Sequence, residues 1–298
     1  MSPWRRSEAR IAWWLVTPAL AGLGVFILLP FALAVVLSFT SLRMGSPLPL
    51  EYVGWENYRL AFDEPGFRRG LANNVLFALV VVPVQTALGL ALALLLNRRF
   101  QGRLLFRTLF FMPVVFPLSL VAVVWVLIFA PGPDGLLNAV LATLSLGAWA
   151  PRDFLNDPAW ALPAIMVTSI WQGAGFQMVI LLAGLQAIPR QLYEAAAVDG
   201  AGPMRRFLHV TLPGLRNPLI FVLIVTTILS FRVFDQVRIM TRGGPRDAST
   251  TVIHEVVRTA FDQGQVALGA AMSVVFFVIV LGITLLQRGL MRQRGEVQ

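Results

Sequence analysis

Six apolar runs, each long enough to cross a lipid bilayer, decide what this chain can become: residues 11–39, 71–96, 104–130, 160–187, 215–240 and 266–287. Roughly 20 mostly apolar residues in a helix cover a hydrocarbon core of ~30 Å. Lipid offers no partner to an unpaired backbone amide, so only helices and closed barrels span it, and none of the runs alternates in the barrel manner. The fold class expected is therefore all-α and integral to a membrane, with six transmembrane helices. Charged residues make up only 13% of the 298 positions, which suits that class. The first run is too long for the core of a cleavable leader and is read as the first span.

Arginine sets the expected orientation. The termini and the loops at 98–107 and 190–216 carry fourteen Arg against four acids, whereas the rest of the chain carries ten Arg against eleven acids. The first group includes Arg5, Arg6, Glu8, Arg10, Arg99, Arg292, Arg294 and Glu296. Basic loops stay on the cytoplasmic side, so both termini are expected there. The same distribution explains the net charge of +9 as topology, and nucleic-acid binding is not read from it. All 24 basic residues are Arg and there is no Cys. A GxxxxGK[ST] nucleotide loop, a Schiff-base lysine, thiolate metal sites and disulfides are thereby excluded. If ATP drives this protein, another polypeptide binds it.

Between the fourth and fifth runs stands a polar elbow. Tyr193–Gly202 reads YEAAAVDGAG, with helix formers at 194–197 followed by Gly200 and the Gly202–Pro203 break. A helix, a turn and a second short helix are expected, lying along the membrane surface. Glu194-Ala195-Ala196, three residues, Gly200, nine residues and then Val210-Thr211-Leu212-Pro213 resembles the EAA loop of permease subunits in bacterial ATP-binding-cassette importers. The usual Ile is Val210 here. The stretches FDQVRIMTRGGP at 234–245, WQGAGFQMVILLAGLQAIP at 171–189 and NRRFQGRLLFRTLFFMP at 97–113 are similar to the first permease subunit of carbohydrate-type importers, of the maltose or sn-glycerol-3-phosphate kind.

That resemblance implies a type I importer permease fold in the bacterial inner membrane. Residues 1–70 would hold a cytoplasmic segment, the first span and an outer loop; 71–288 a five-helix permease core; 289–298 a cytoplasmic tail. Glu194, Ala195, Ala196, Asp199, Gly200, Leu212 and Pro213 would form coupling helices seated in a separate ATPase. The implied partners are a second, homologous permease, two ATPase copies, an extracytoplasmic solute-binding protein and the surrounding lipid. ATP and Mg would be bound by the ATPase, and no cofactor or metal by this chain. A sugar, polyol or glycerol phosphate would pass between the two permeases.

Polar residues within spans are costly, by about 2.5–3.5 kcal/mol for a central charge, and are read one by one. Arg232 and Asp235, three apart, are expected on one helix face, paired or in contact with solute. In the fourth run Gln172 and Phe176 share one face and Gly173 and Gln177 another, suited either to a sugar or to helix packing. Asn73, Asn74 and Gln85 are read as packing groups. Gly243-Gly244-Pro245 reads as a tight turn on the outer face. His209 and His254 lie far apart, and no triad or carboxylate pair falls in one pocket, so enzymatic chemistry is not expected. The competing readings are an ion-coupled secondary transporter, which needs a mid-membrane coupling group, and a membrane enzyme acting on lipid-linked sugars.

Overall fold

The computed structural model describes residues 3–98 and 100–292, with side chains for 13–98 and 100–289. Arg99 and the end of the tail, including Arg294 and Glu296, lie outside the described residues, as do the side chains of Arg5, Arg6, Glu8, Arg10 and Arg292.

In chain order the helices are α1 (Pro3–Leu23), α2 (Leu29–Leu37), α3 (Glu56–Asp63), α4 (Pro65–Asn97), α5 (Arg103–Val115), α6 (Leu118–Ile128), α7 (Leu136–Leu144) and α8 (Ala161–Ala187). They continue with α9 (Arg190–Val198), α10 (Pro203–Arg206), α11 (Leu212–Gly214), α12 (Arg216–Phe231), α13 (Asp235–Met240), α14 (Val252–Val257) and α15 (Val266–Arg292). A π-turn over Gly24–Leu28 joins α1 to α2. Among the described residues there is no strand, and Thr40 and Tyr52 form an isolated bridge.

Five of these stretches are long and apolar enough to cross a bilayer, and a sixth appears if the bent pair α5–α6 counts as one span. That bend is the main departure from the sequence expectation, which ran one helix through 104–130. Pro117 disfavours a helical conformation at the residue before it, Phe116 is extended (φ −77°, ψ 141°), and the two halves meet at 102°. The fifth run breaks as well. Arg232 ends α12, Phe234 leaves helical space (φ −140°), and α13 restarts at Asp235, whose carboxylate suits the first turn of a helix.

The chain divides into two compact units. The first joins residues 3–67 to 255–278. Its segment after α2 is organised by Asn57, whose buried amide donates to the carbonyls of Ser38 (2.9 Å) and Thr40 (2.8 Å), beneath a cluster of Phe39, Trp55 and Tyr58. Glu255 is 1% exposed and lies over Gly66, where an added Cβ would fall 2.7 Å from the carboxyl carbon. It also forms an ion pair with Arg258 at 2.6 Å. A carboxylate placed over the first turn of α4 answers the positive end of that helix.

The second unit, residues 68–254 with 279–292, is built around α8. Ile165 and Met166 of α8 enter one apolar cluster with Phe77, Val81, Phe129 and Val237, while Met178, Leu181 and Leu185 enter a second with Ala93, Leu96 and Leu215. More than half of its apolar window is buried, against none of the first span's. Small residues make the approach possible. A Cβ on Gly175 would lie 2.0 Å from the Phe110 carbonyl oxygen of α5, and one on Gly184 2.7 Å from Pro218 of α12.

Asn74 of α4 is fully buried. It donates to the carbonyls of Ser230 (3.4 Å) and Phe231 (3.2 Å) at the end of α12 and accepts the Val252 amide at 2.9 Å. Asn74→Leu removes all three bonds, and we expect it to cost about 2 kcal/mol. Thermal unfolding of the purified variant in detergent, compared with an exposed control such as Leu79→Ala, checks this.

Candidate functional site

A cavity of about 310 Å3 opens in the second unit where the two broken helices meet the intact ones. Its wall draws Phe77, Val81 and Gln85 from α4, Leu118 from the start of α6, and Ser169, Gln172 and Gly173 from α8. Thr226, Leu229 and Ser230 come from α12, Arg232 and Val233 from the break, and Asp235 and Gln236 from α13. The lining therefore mixes amides, hydroxyls and one charge of each sign with apolar surface. Such a wall can hydrogen-bond hydroxyls and also cover C–H faces.

Arg232 and Asp235 both reach this cavity but do not share a helix, because the chain turns between them. The expected single face is thus replaced by two helix ends. Both side chains are exposed, and no ion pair joins them among the described residues. Gln172 lines the cavity and is 6% exposed. Gln177, 0% exposed, instead donates to Thr226 Oγ1 at 2.6 Å as a packing bond between α8 and α12. Phe176 is half-buried and does not line the cavity. Gln85, expected to serve packing, sits on the wall against Gly173, whose Cβ would fall 2.3 Å from its Nε2. Gln236 was missed by the sequence reading, and the break that aims it inward carries no proline to betray it.

The elbow has the expected form. Pro189 precedes α9, whose last carbonyls accept from Gly200 N (3.1 Å from Ala197 O) and Ala201 N (2.8 Å from Ala196 O). Gly200 has φ +73°, the left-handed conformation that ends helices at low cost in glycine. Gly202 and Pro203 start α10, a π-turn (Phe207–Thr211) follows, and α11 holds Leu212 and Pro213. Tyr193 Oη lies 3.0 Å from Thr211 Oγ1, tying the two arms together, and Arg206 Nε donates to Ala201 O at 2.6 Å. Glu194, Ala195 and Asp199 are exposed and Ala196 is half-buried. Glu194 has no hydrogen-bond or ion-pair partner among the described residues. Four apolar side chains are exposed on the same elbow: Leu192 (51%), Val198 (88%), Met204 (69%) and Leu208 (47%).

The Gly243-Gly244-Pro245 turn is tied down from several sides. Gly244 N donates to Thr241 O at 2.9 Å, and Ser249 Oγ to Gly244 O at 2.6 Å. From α4, Asn73 donates to Ala248 O (3.1 Å) and Thr250 O (2.8 Å), and Arg69 to Arg246 O (2.8 Å). His254 is 2% exposed and packs its ring against Gly243, where a Cβ would fall 2.7 Å from Cε1. His209 is exposed on the elbow, its Nδ1 3.0 Å from Arg205 O. Among the described residues no three His, Cys, Asp or Glu side chains gather as a metal site.

Membrane-length helices, a second unit built around α8 with a polar cavity at helix breaks, and a helical elbow between two spans define a multi-pass membrane protein of the transporter class. The chain belongs to the family of binding-protein-dependent transport system inner membrane components, matching it over residues 85–294. It is 39% identical over 273 residues to the sulfoquinovosyl glycerol transport system permease protein SmoG of Agrobacterium fabrum, covering 91% of this chain and 86% of that one. It is 36% identical over 279 residues to the trehalose/maltose transport system permease protein MalF of Thermococcus litoralis, with 93% and 92% covered. A chain in the crystal structure of a bacterial alginate ABC transporter, in complex with an alginate pentasaccharide-bound periplasmic protein, superposes with a TM-score of 0.84. That match covers 99% and 98% of the two chains at 20% identity, and shows the shared fold. This chain is accordingly a permease subunit of an ATP-binding-cassette importer.

Proposed function

We propose that this chain forms half of the pathway by which a sugar, polyol or glycerol phosphate enters a bacterial cell, with a second, similar permease supplying the other half. An extracytoplasmic binding protein delivers the solute. Two copies of a cytoplasmic ATPase, which hold the ATP and Mg, drive the permeases between outward and inward opening by rigid-body rocking. Both termini and the elbow face the cytosol, and residues 71–288 act as the permease core. In this reading the cavity wall with Arg232, Asp235 and Gln172 meets the passing solute, and the Gly243-Gly244-Pro245 turn lies on the outer face.

The observation that carries the reading is the elbow. Its two short helices and the π-turn after them hold Leu192, Val198, Met204 and Leu208 open beside the Glu194 carboxylate, which has no partner among the described residues. An apolar patch rimmed by charge on a rigid knuckle suits a protein cleft. Purified alone, the chain is expected to hydrolyse no ATP. With the second permease, the ATPase and the binding protein in proteoliposomes, it is expected to import solute only when Mg-ATP is available to the ATPase. Uptake by this chain alone, driven by a proton gradient without ATP, would overturn the reading.

A further inference from the structure

The two helix breaks have unrelated causes in the sequence, yet one side chain reaches both. Gln172 Nε2 donates to the Phe116 carbonyl at 3.2 Å, the group left without a helical partner at Pro117. Gln172 Oε1 accepts from Gln236 Nε2 at 3.4 Å, one residue into α13 and just past the second break. Gln236 Oε1 in turn accepts the hydroxyl of Ser169, one turn earlier on α8. Gln172 and Gln236 are 6% and 2% exposed, so these amides have little water to turn to.

Packing shows what this chain of bonds connects. The inner halves α5 and α12 each pack on α8, whereas the outer halves α6 and α13 pack chiefly on one another. α6 and α13 are thus a pair that hangs from two breaks and meets α8 through the apolar cluster of Phe129, Val237, Ile165 and Met166. The cavity opens at the level of those breaks, with Leu118, Arg232, Val233, Asp235 and Gln236 all on its wall. A shift of the pair relative to α8 changes the cavity's width.

We infer that Gln172 is a positioning residue for transport: its amide latches both breaks to α8, so that the α6–α13 pair is held or released as one piece and the cavity has two states rather than a range. A leucine would fill similar space in this apolar setting but could not hold either break. An amide whose donor and acceptor are both engaged couples the two breaks, because losing one bond weakens the dipole that polarises the other.

This inference rests on the importer reading above, and its test separates the two. The complete complex is reconstituted with wild-type chain, Gln172→Leu, Gln236→Leu or the double variant, and ATP hydrolysed per solute imported is measured. Expected for Gln172→Leu is a complex that assembles, hydrolyses ATP faster without binding protein, and imports about fivefold less solute per ATP. The double variant should be no worse than either single one, because each interrupts the chain of bonds that runs from Phe116 through Gln172 and Gln236 to Ser169. Wild-type stoichiometry in an assembled Gln172→Leu complex, or additive losses in the double variant, overturns the inference. Should Gln172→Leu not assemble, Gln236→Leu, which removes the bond tying the second break to Gln172, takes its place, and unchanged stoichiometry again overturns it. Absence of ATP-driven uptake by the wild-type complex would instead defeat the importer reading.

Discussion

Glu194→Arg is expected to lower ATP-driven uptake by roughly 100-fold while leaving the chain itself folded. A reversed charge at a desolvated contact costs on the order of 2–5 kcal/mol, which is a factor of about 30 to several thousand in affinity. Within the chain the substitution has little to disturb. Glu194 is exposed on α9, holds no hydrogen bond or ion pair among the described residues, and sits beside exposed Ala195. Surface changes of that kind usually fall within about 0.5 kcal/mol of neutral. Two measurements are therefore needed together: thermal unfolding of the lone subunit, expected to be unchanged, and co-purification of the ATPase, expected to be lost or to persist without uptake. Wild-type uptake by the variant would remove Glu194 from the proposed coupling surface.

The second large effect is structural. Gly175→Leu should prevent the second unit from forming, since even the first carbon of the new side chain would lie 2.0 Å from the Phe110 carbonyl oxygen and 3.0 Å from Phe111 Cα. Both are backbone atoms and cannot rotate away. Relief requires α5 to move off α8, and overpacking that displaces backbone costs ~3 kcal/mol or more. Gly202→Ala is the matched control: nothing lies within 4 Å of its Cβ position and its φ is −68°. Folded yield by size-exclusion chromatography should collapse for Gly175→Leu and hold for Gly202→Ala. Equal yields would mean that α5 and α8 do not approach as closely as described.

The parts of this protein that were legible in the sequence are those written in consecutive residues. Apolar length marked the spans, and the spacing from Glu194 to Pro213 marked the elbow, because helix formers, Gly200 and Pro203 each act on their own neighbourhood. The break after Phe116 was also written locally, in Pro117. It was passed over because α5 and α6 together have the length of one ordinary span. The cavity could not be read this way at all. It exists only where residues from α4, α6, α8, α12 and α13 converge, and nothing in a linear reading distinguishes Gln172, which reaches both breaks, from Gln177 five residues later, which bonds to Thr226. Gln236 was invisible for the same reason.

The bend at Pro117 also bears on biosynthesis. When the segment that becomes α5 and α6 leaves the ribosome it is one continuous greasy stretch, and α6 with its 11 residues is only ~16 Å long, too short to cross a bilayer alone. The amide that satisfies the Phe116 carbonyl belongs to Gln172, some fifty residues further on and still untranslated or in the exit tunnel at that moment. The insertion machinery therefore meets the stretch before the group that satisfies its break, and the elbowed shape is completed only once that later neighbour has arrived in the lipid.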